Sequence, residues 1–461
     1  MNPTPSVPIS LQRLPRHWKL VLGISLAGLI ATLILLPYEL RSVHQQLLGF
    51  PDSHVVTQQA RPWVMAGICL LPALSAWLYS LGDILDRYIT RRFLTMFGIC
   101  LAALYIVWLL LDLSDNVSEL SAAKNPVSTI FVYYFTRLPA VLMLLLPYAL
   151  LLSLLESLGK LSTNREVIAI IQAGRSVLRL CVPLMVAGAM CTILALGINY
   201  HWAPVAEGSE KEILDRASGR QQSKASKVLY RNLHTGRLWL VNSFPPDYHM
   251  GKALRGVEVT ATNNDDRLKS RLTAKSANWD PNTTDWTFHQ AVICHYAEDK
   301  APYYEVPEGP LVISGWPETP WQIIKPGLPA EHLGIPGLNA WLKTHQRFPH
   351  IADPEPYLTH RHYRFALPFA CLITVLLAAP LAIQFSRRGS VGGIFLAVAL
   401  ACMMLLINTI ILALGESGHL PPMLAAWLPN MIFGGIGGYL LYRRITGRPI
   451  FASIRSWFAP A

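Results

Sequence analysis

Residues 156–175 read Glu-Ser-Leu-Gly-Lys-Leu-Ser-Thr-Asn-Arg-Glu-Val-Ile-Ala-Ile-Ile-Gln-Ala-Gly-Arg, a short amphipathic segment between two long apolar runs. Thr163 and Glu166 have the Thr-x-x-Glu spacing of a capping box, which predicts that a helix starts at Thr163. Gly174 can take the left-handed conformation that ends a helix. The sequence therefore predicts a capped helix over 163–174, at the point where the chain turns between two membrane spans.

Two interpretations of this helix are open. Four aliphatic residues fall on one helical face, while Glu166 and Gln172 are turned away from it. Such a helix can lie on the inner surface of a membrane. It can also insert its apolar face into the groove of a partner protein, and its compact, doubly capped form favours this second role. The aliphatic residues are Val167, Ile168, Ile170 and Ile171.

The composition is that of a membrane protein with a soluble part. The chain has 461 residues, of which 52% are hydrophobic and 15% are charged, which argues against a soluble enzyme. Residues 203–360 hold 17 Lys/Arg and 18 Asp/Glu, so the net charge of +11 arises elsewhere, at the flanks of the apolar runs. We therefore expect no nucleic-acid partner, despite the basic balance of the whole chain.

Eight apolar runs are long enough to cross a bilayer. They lie near 18–38, 63–82, 94–112, 128–157, 177–200, 364–385, 391–414 and 422–442. The first run is too long for a signal peptide, so we interpret it as a retained anchor. With the N-terminus inside, 16 Lys/Arg flank the cytoplasmic ends and only 6 flank the outer ends. This asymmetry places the predicted helix in the cytoplasm and residues 203–360 outside.

The external region has the pattern of a β-domain. Short runs rich in Val, Thr, Tyr and Trp alternate with turn clusters, which predicts a sandwich, barrel or jelly roll. The predicted strands are 228–233, 237–242, 254–262, 267–276, 284–294 and 303–306. A short helix is predicted over 337–344. Cys294 is the single cysteine of this region, which excludes an internal disulfide framework.

The sequence contains no motif for catalysis. It has no G-x-x-x-x-G-K-[ST] phosphate loop, no CxxC pair and no His/Cys cluster. We therefore expect no catalytic residue, no metal and no cofactor, and any ATP must be bound by another protein. Ionisable residues inside the apolar runs are sparse, which disfavours an ion-coupled transporter.

Basic residues near the outer ends of the runs have two interpretations. They can extend to the interface or pair with Asp112 or Asp115. They can also bind the phosphate groups of an anionic lipid, for which arginine offers bidentate geometry. The lipid-binding candidates are Arg137, Lys124, Arg364 and Lys211.

Several short motifs follow one another along residues 83–445. They are Leu85-Asp-Arg-Tyr-Ile89, Ser162–Gly174, Trp202-Ala-Pro204, Leu333-Gly-Ile-Pro-Gly-Leu338, Arg364-Phe-Ala-Leu-Pro-Phe369, Gly415-Glu-Ser-Gly418, Pro421-Pro422 and Ala426-Trp-Leu-Pro-Asn430. In this order, with a β-domain between the third and fourth of six spans, the chain resembles the LptF/LptG (YjgP/YjgQ) permeases of lipopolysaccharide export. Within that family it is more similar to LptG.

The resemblance implies an α-helical polytopic membrane protein with a six-helix permease core, two extra N-terminal helices and an inserted periplasmic β-jellyroll domain. The implied parts are an N-terminal extension (1–82), the first half of the core (83–202), the jellyroll (203–345), the second half of the core (346–445) and a cytoplasmic tail (446–461). The two extra helices can cover a lateral gate, replace an accessory anchor or pack outside the core.

The resemblance also implies a function. The chain would be a non-catalytic permease subunit of an ATP-driven exporter that extracts lipopolysaccharide from the outer leaflet of the inner membrane. The lipid would enter between the first and fifth family helices and pass to a bridge of periplasmic jellyrolls. The implied partners are an ATPase dimer of the LptB kind, a paralogous LptF-like permease, a jellyroll protein of the LptC/LptA kind, and lipopolysaccharide itself.

The segment 163–174 would then dock on the ATPase and receive its power stroke. The implied coupling residues are Glu166, Ile170, Gln172 and Gly174. An alternative function is a membrane-anchored sensor or assembly scaffold whose β-domain binds an external ligand. A secondary transporter is a third possibility.

Overall fold

The computed structural model describes residues 16–49, 54–121, 123, 125–210, 213–214, 225–232, 235–245, 248, 251–262, 267–280, 283–296, 301–324, 327–347, 353–383 and 391–446. Its helices are α1 (Arg16–Gly49), α2 (Val55–Leu81), α3 (Ile84–Ser121), α4 (Pro126–Thr163), α5 (Glu166–Gln172), α6 (Val177–Tyr200), α7 (Trp202–Gly208), α8 (Pro320–Ile324), α9 (Ile335–Arg347), α10 (Glu355–Ala366), α11 (Ala370–Ala382), α12 (Val391–Glu416) and α13 (Pro422–Ile445).

Eight spans within these ranges are long and apolar enough to cross a membrane, as the sequence predicted. They are α1, α2, α3, α4, α6, α10 with α11, α12 and α13. A 3-10 turn over Leu367–Phe369 joins α10 to α11, so these two helices form one span of 28 residues. Pro368 lies in that turn, where its missing amide interrupts the helical hydrogen bonds.

The core of the membrane domain forms where α4, α6 and α11 pack together. Leu150, Leu154 and Leu158 of α4 are fully buried in it, as is Val375 of α11. Gly188 of α6 faces Val375, and a Cβ at Gly188 would lie only 2.6 Å from Val375 Cγ2. The small residue therefore allows α6 and α11 to approach closely, as is common between membrane helices.

The two N-terminal helices form a hairpin that packs against α6. Gly197 of α6 makes room for Ile68 of α2, whose Cγ1 would lie 2.6 Å from a Cβ at that position. The Tyr200 hydroxyl donates to the Thr57 carbonyl at 2.8 Å. The hairpin thus lies beside the third helix of the six-helix core.

A buried ion pair joins the two helices of the hairpin. Arg61 of α2 contacts Glu39 of α1 at 2.5 Å, and the two side chains are only 4% and 7% exposed. The Gln58 side chain accepts a second hydrogen bond from Arg61, at 3.3 Å. Since charges are costly in this setting unless they are paired, the contact fixes how α1 lies against α2.

Within the described residues, the inserted domain is one antiparallel sheet of seven strands between α7 and α8. Its strands are β1 (Ala225–Asn232), β2 (Arg237–Phe244), β3 (Leu254–Thr262), β4 (Leu268–Trp279), β5 (Trp286–His295), β6 (Tyr303–Glu305) and β7 (Leu311–Ile313). The order is β1-β2-β3-β4-β5-β6, and β7 also pairs with β5. The predicted fold class is confirmed, because this sheet is consistent with a jellyroll-like domain.

The six predicted strands correspond to β1–β6, and the predicted short helix corresponds to α9. The sequence analysis missed β7, whose three residues are too few to show an alternating pattern. The exact domain boundaries at 82, 202, 345 and 445 stay predictions.

The core of the β-domain is aromatic and is closed by a buried carboxylate. Trp239, Trp286 and Phe288 are fully buried on one face of the sheet. Glu318, which follows β7, is 0% exposed and accepts from Arg237 Nε at 2.9 Å. Its backbone carbonyl accepts from the Trp286 indole at 2.8 Å. Glu318 therefore attaches the segment after β7 to the start of β2.

We predict that Arg61→Met destabilises the hairpin because it leaves Glu39 buried without its cation. The expected loss is about 3 kcal/mol of unfolding free energy, the scale for breaking a buried pair. Thermal unfolding of the detergent-solubilised protein measures this. The double variant Glu39→Leu/Arg61→Met should recover most of the loss, and an unchanged melting temperature in the single variant would contradict the prediction.

We also predict that Glu318→Ala destabilises the β-domain by about 3–5 kcal/mol, because Arg237 loses its carboxylate partner in a buried setting. Tryptophan fluorescence during unfolding reports on this change, since the Trp286 indole donates to the Glu318 carbonyl and its ring centroid lies 4.9 Å from that of Trp239. The matched control is Glu305→Ala, which removes an exposed carboxylate from β6. Equal unfolding of the two variants would show that the buried contacts of Glu318 contribute little.

Candidate functional site

The cytoplasmic turn differs in detail from its prediction. The helix α5 begins at Glu166, and Thr163 is the last residue of α4. The Thr163 hydroxyl donates back to the Gly159 carbonyl at 2.9 Å instead of capping a new helix. The predicted capping box and the start at residue 163 are therefore wrong. The apolar helix α4 continues further than expected, and Arg165, in the left-handed region with φ 60°, makes the turn.

The end of α5 agrees with its prediction. Gly174 has φ +80°, which few residues other than glycine adopt without strain. Its amide donates to the Ile171 carbonyl at 2.9 Å, and the Arg175 amide donates to the Ile170 carbonyl at 3.2 Å. These two bonds define a Schellman motif, which satisfies carbonyls that the end of the helix leaves open.

The four aliphatic residues of α5 do not form one free face. Val167 is 1% exposed and lies within the core of the membrane domain, and Ile170 packs against the same core. Ile171 is 37% exposed, and Gln172 and Gly174 are also exposed. The prediction that the whole aliphatic face is available to a partner is therefore wrong, because half of it attaches α5 to its own permease core. The surface that remains for a partner is the exposed side with Ile171, Gln172 and Gly174.

Glu166 connects α5 to α3. Its carboxylate accepts from the Tyr88 hydroxyl at 2.8 Å and from Arg92 at 3.0 Å, and Asn164 donates at 3.1 Å. Arg92 also donates to the Tyr88 hydroxyl, at 2.9 Å, so the three side chains form one cluster. Glu166 lies 74 residues from Arg92 and 78 from Tyr88 along the sequence. Because of this separation, neither partner was predicted from sequence, although Glu166 itself was.

The electrostatics of Glu166 follow from these contacts. Partial burial raises the pKa of this carboxyl, but the hydrogen bonds from Tyr88, Asn164 and Arg92 outweigh it and lower the pKa below its ordinary value. Because the pKa of Glu166 is depressed in the folded state, the contribution of its carboxylate to stability is fully present above the unfolded-state pKa. It is lost as the pH falls through the folded-state pKa. The Glu166 carboxylate and the Arg92 guanidinium are therefore both charged at neutral pH.

A second cluster holds the same end of α3 from the other side. Arg179, in the first turn of α6, contacts Asp83 at 3.0 Å and Asp86 at 2.7 Å. The cytoplasmic end of α3 is thus bonded both to α5 and to α6. This cluster was not predicted from sequence either. The signal that could have indicated it is the concentration of charged residues around the start of α3.

Arg137 is paired at the opposite end of α3. Its guanidinium contacts Asp112 of α3 at 2.5 Å and Glu210 at 3.0 Å. It also lies 5.2 Å from the ring centroid of Trp108 and 5.3 Å from that of Tyr133. Of the two interpretations, the structure shows the pairing with Asp112. A contact between Arg137 and lipid phosphate stays a prediction.

Arg364 joins the membrane domain to the segment that leaves the β-domain. This residue of α10 is 6% exposed and donates to the Leu333 carbonyl at 3.2 Å and to the Glu331 carbonyl. Asn199 of α6 donates to the Arg364 carbonyl at 2.7 Å. The guanidinium also donates to the Asn199 side-chain oxygen at 3.4 Å, so three neutral oxygens accept its hydrogen bonds. The structure therefore gives Arg364 an architectural role, and lipid binding by this residue stays a prediction.

The other two lipid-binding candidates, Lys124 and Lys211, lie outside the described residues. The structure therefore brings Glu166 together with Arg92 at the cytoplasmic end of α3, and Arg137 together with Asp112 at the other end. It does not bring Arg137 and Arg364 into one cluster among the contacts of the described residues.

Comparisons with known proteins identify the family. The family described as "Lipopolysaccharide export system permease LptF/LptG" matches residues 87–443. The lipopolysaccharide export system permease protein LptF of Escherichia coli strain K12 is 23% identical over 381 residues, which cover 76% of this chain and 92% of the relative. LptF of Shigella flexneri shows the same identity and coverage.

These relatives carry the name LptF, and the closer likeness to LptG stays a prediction. The extra hairpin α1–α2 precedes the matched region, so the six remaining spans and the sheet are the parts shared with the family. With the match extending over most of the sequence, the chain belongs to the LptF/LptG family of lipopolysaccharide export permeases and is a multi-pass protein of the inner membrane with a periplasmic domain.

Proposed function

We propose that this chain is the transmembrane permease subunit of an ATP-driven exporter. It would extract lipopolysaccharide from the outer leaflet of the inner membrane and pass it to a periplasmic bridge of jellyrolls. The observation that carries this proposal is the cytoplasmic helix α5, which presents one exposed side and is bonded through Glu166 to Arg92 of α3. Because the sequence lacks a phosphate loop, ATP would be bound and hydrolysed by a separate subunit.

Besides this chain, the proposed complex has three kinds of protein component. An ATPase dimer of the LptB kind would bind the exposed side of α5, and a paralogous LptF-like permease would complete the transmembrane cavity. A jellyroll protein of the LptC/LptA kind would continue the periplasmic domain. No cofactor would be held by this chain itself.

The burial of α3 supports a mechanical role. No residue in the most apolar stretch of α3 is buried. In the most apolar stretch of the α10–α11 span, by contrast, 72% of the residues are buried. Near its cytoplasmic end, Ile89 and Phe93 anchor α3 in the core, and near its periplasmic end Leu120 does so in a separate cluster. Between these anchors α3 has no fully buried residue, and side chains such as Phe97 and Trp108 are only partly buried, so a tilt of α3 would disturb few core contacts.

The two ends of α3 carry the two charged contacts of the site. Arg92 and Asp112 are separated by 20 helical residues, or about 30 Å at 1.5 Å per residue. A displacement of α5 would therefore move Arg92, tilt α3 and shift Asp112 relative to Arg137. An anionic lipid phosphate could then replace Asp112 on the arginine, because both ligands accept the same bidentate hydrogen bonds.

We predict that Arg92→Ala separates assembly from transport. The exposed side of α5 is left intact, so co-purification with the ATPase should be retained. ATP-driven release of lipopolysaccharide should fall by about tenfold or more, equivalent to at least about 1.4 kcal/mol of lost coupling. Reconstituted vesicles with a lipid-release assay measure this.

The matched control is Arg91→Ala, which removes the neighbouring charge on α3. The double variant Glu166→Ala/Arg92→Ala tests the contact itself and should be no worse than Glu166→Ala alone, since both changes break one interaction. Release at the wild-type rate in Arg92→Ala would show that α5 does not act through this contact.

A second prediction concerns the exposed side of α5. Ile171→Asp should abolish co-purification with the ATPase and leave the melting temperature unchanged, because this side chain already contacts solvent. Ile170→Asp should instead lower the melting temperature, because it places a carboxylate against the permease core. If Ile171→Asp retains the ATPase, the partner binds elsewhere on the cytoplasmic surface.

A further inference from the structure

The five long strands of the β-domain share one irregularity. In each of β1–β5, two consecutive residues point away from the core between two buried residues, which interrupts the normal alternation of the strand. The outward pairs are Ser226-Lys227, Asn242-Ser243, Arg255-Gly256, Lys275-Ser276 and His289-Gln290.

These pairs lie side by side across the sheet. In the strand register Ser226 is opposite Ser243, and Ser243 is opposite Arg255. The row continues from Arg255 to Ser276 and from Ser276 to His289. The strand register stays one-to-one through this level, as between Val228 and Val241, so all five strands carry the second outward residue in step. We call the resulting cross-strand depression the trough.

The backbone of the trough adopts conformations that strands normally avoid. Lys227, Gly256 and Gln290 have φ values of 53°, 60° and 52°. This region is strained for lysine and glutamine, and it persists only where the surrounding structure enforces it. At Gly256 a side chain is also excluded by space, because a Cβ would lie 2.5 Å from Asn242 Nδ2.

The trough is polar throughout and predominantly basic. All ten of its residues are polar or glycine, and three of them, Lys227, Arg255 and Lys275, are cations. The segment from Pro307 to Pro310 lies at one side and contributes Glu308. Nine of the ten residues line an open cavity of ≈1280 Å³.

The central cations of the trough are available to a ligand. Among the described residues, Arg255 and Lys275 have no hydrogen bond or ion pair through their side chains. By contrast, Arg271 on the same face of the sheet is bonded to Glu258 at 2.7 Å. Although Glu308 lines the same cavity, no carboxylate is bonded to Arg255 or Lys275 among the described residues, which distinguishes these two cations from Arg271.

Three features limit what can bind there. The cavity exceeds the roughly 300–1,000 Å³ typical of drug-sized ligands, so it is larger than an inorganic anion requires. The trough runs across the strands, whereas a peptide added to a sheet edge lies parallel to them, which disfavours an added peptide strand as the ligand. Its walls are polar, while the aromatic core with Trp239 and Trp286 lies on the opposite face of the sheet, which disfavours an acyl chain.

We propose that the trough binds an anionic, hydroxyl-rich saccharide. Arg255 and Lys275, on neighbouring strands, would bind its phosphate groups, since ionised donors form the stronger hydrogen bonds. The amides of Asn242 and Gln290 and the hydroxyls of Ser243 and Ser276 would bind sugar hydroxyls. The assignment of this ligand to the sugar part of the exported lipid rests on the function proposed above; the binding itself does not.

The test uses the full-length chain in detergent and isothermal titration calorimetry. The probe is the phosphorylated oligosaccharide obtained by removing the acyl chains from lipopolysaccharide. We expect Arg255→Ala/Lys275→Ala to weaken binding by about tenfold or more, because two charge-assisted contacts are lost. Added salt should weaken binding to the wild-type chain as well. The matched control is Lys269→Ala, which removes an exposed cation of β4 outside the trough and should bind like the wild type.

Each of three results would overturn the inference. The first is equal binding by the wild type and the double variant. The second is equal affinity for the oligosaccharide after phosphatase treatment, since the cations would then have no role. The third is equal affinity for inorganic phosphate alone, which would indicate a simple ion site.

The proposed function is tested separately. The double variant changes two exposed side chains, so its melting temperature should match that of the wild type. A chain that shows Arg255-dependent oligosaccharide binding but no ATPase-dependent lipid release would contradict the exporter and leave the trough assignment standing.

Discussion

The hydrocarbon core of a bilayer contains no water to bond with exposed amides and carbonyls, and this constraint governs most of the structure. It requires the chain to cross the membrane as continuous helices, and it makes every charge between those helices depend on a partner. Glu39 with Arg61 and Asp112 with Arg137 obey this rule. Each pair also fixes the relative position of two helices, because the cost of separating buried charges is high.

The same constraint explains why burial differs so much between spans. Between membrane helices there is no hydrophobic driving force, so association depends on van der Waals packing, which small residues permit, and on polar contacts. Where these occur, as at Gly188 beside Val375, the helices form a compact core. Along α3 the fully buried residues lie near the two ends, and the residues between them are partly buried or exposed. The difference separates a compact group of helices from a helix with little fully buried surface.

Much of the architecture was predictable from the sequence because it depends on local patterns. The eight spans follow from the lengths of apolar runs, and β1–β6 follow from short runs between turn residues. The helix end at Gly174 was also predictable, since few other residues tolerate its backbone conformation. The start of α5 was not, because Thr-x-x-Glu spacing cannot show whether the preceding helix has already ended at Thr163.

The contacts of the candidate site were less predictable, for two physical reasons. Glu166 and Arg92 meet only because three helices fold together, and nothing near either residue indicates the other. The trough is different, because its signal is present in the sequence as an apolar-polar-polar-apolar pattern in five strands, such as Val241-Asn-Ser-Phe244. The sequence pattern alone does not predict a trough, because only the register of the paired strands brings the five polar pairs to one level.

The fusion of the hairpin α1–α2 to the permease core has a consequence for assembly. A separate membrane subunit would bind α6 with an affinity that depends on its abundance in the bilayer. Because the hairpin belongs to the same chain, its association is intramolecular and its effective concentration is set by the short connection between α2 and α3. Every copy of the permease therefore carries exactly one hairpin, whatever the expression levels of the other subunits.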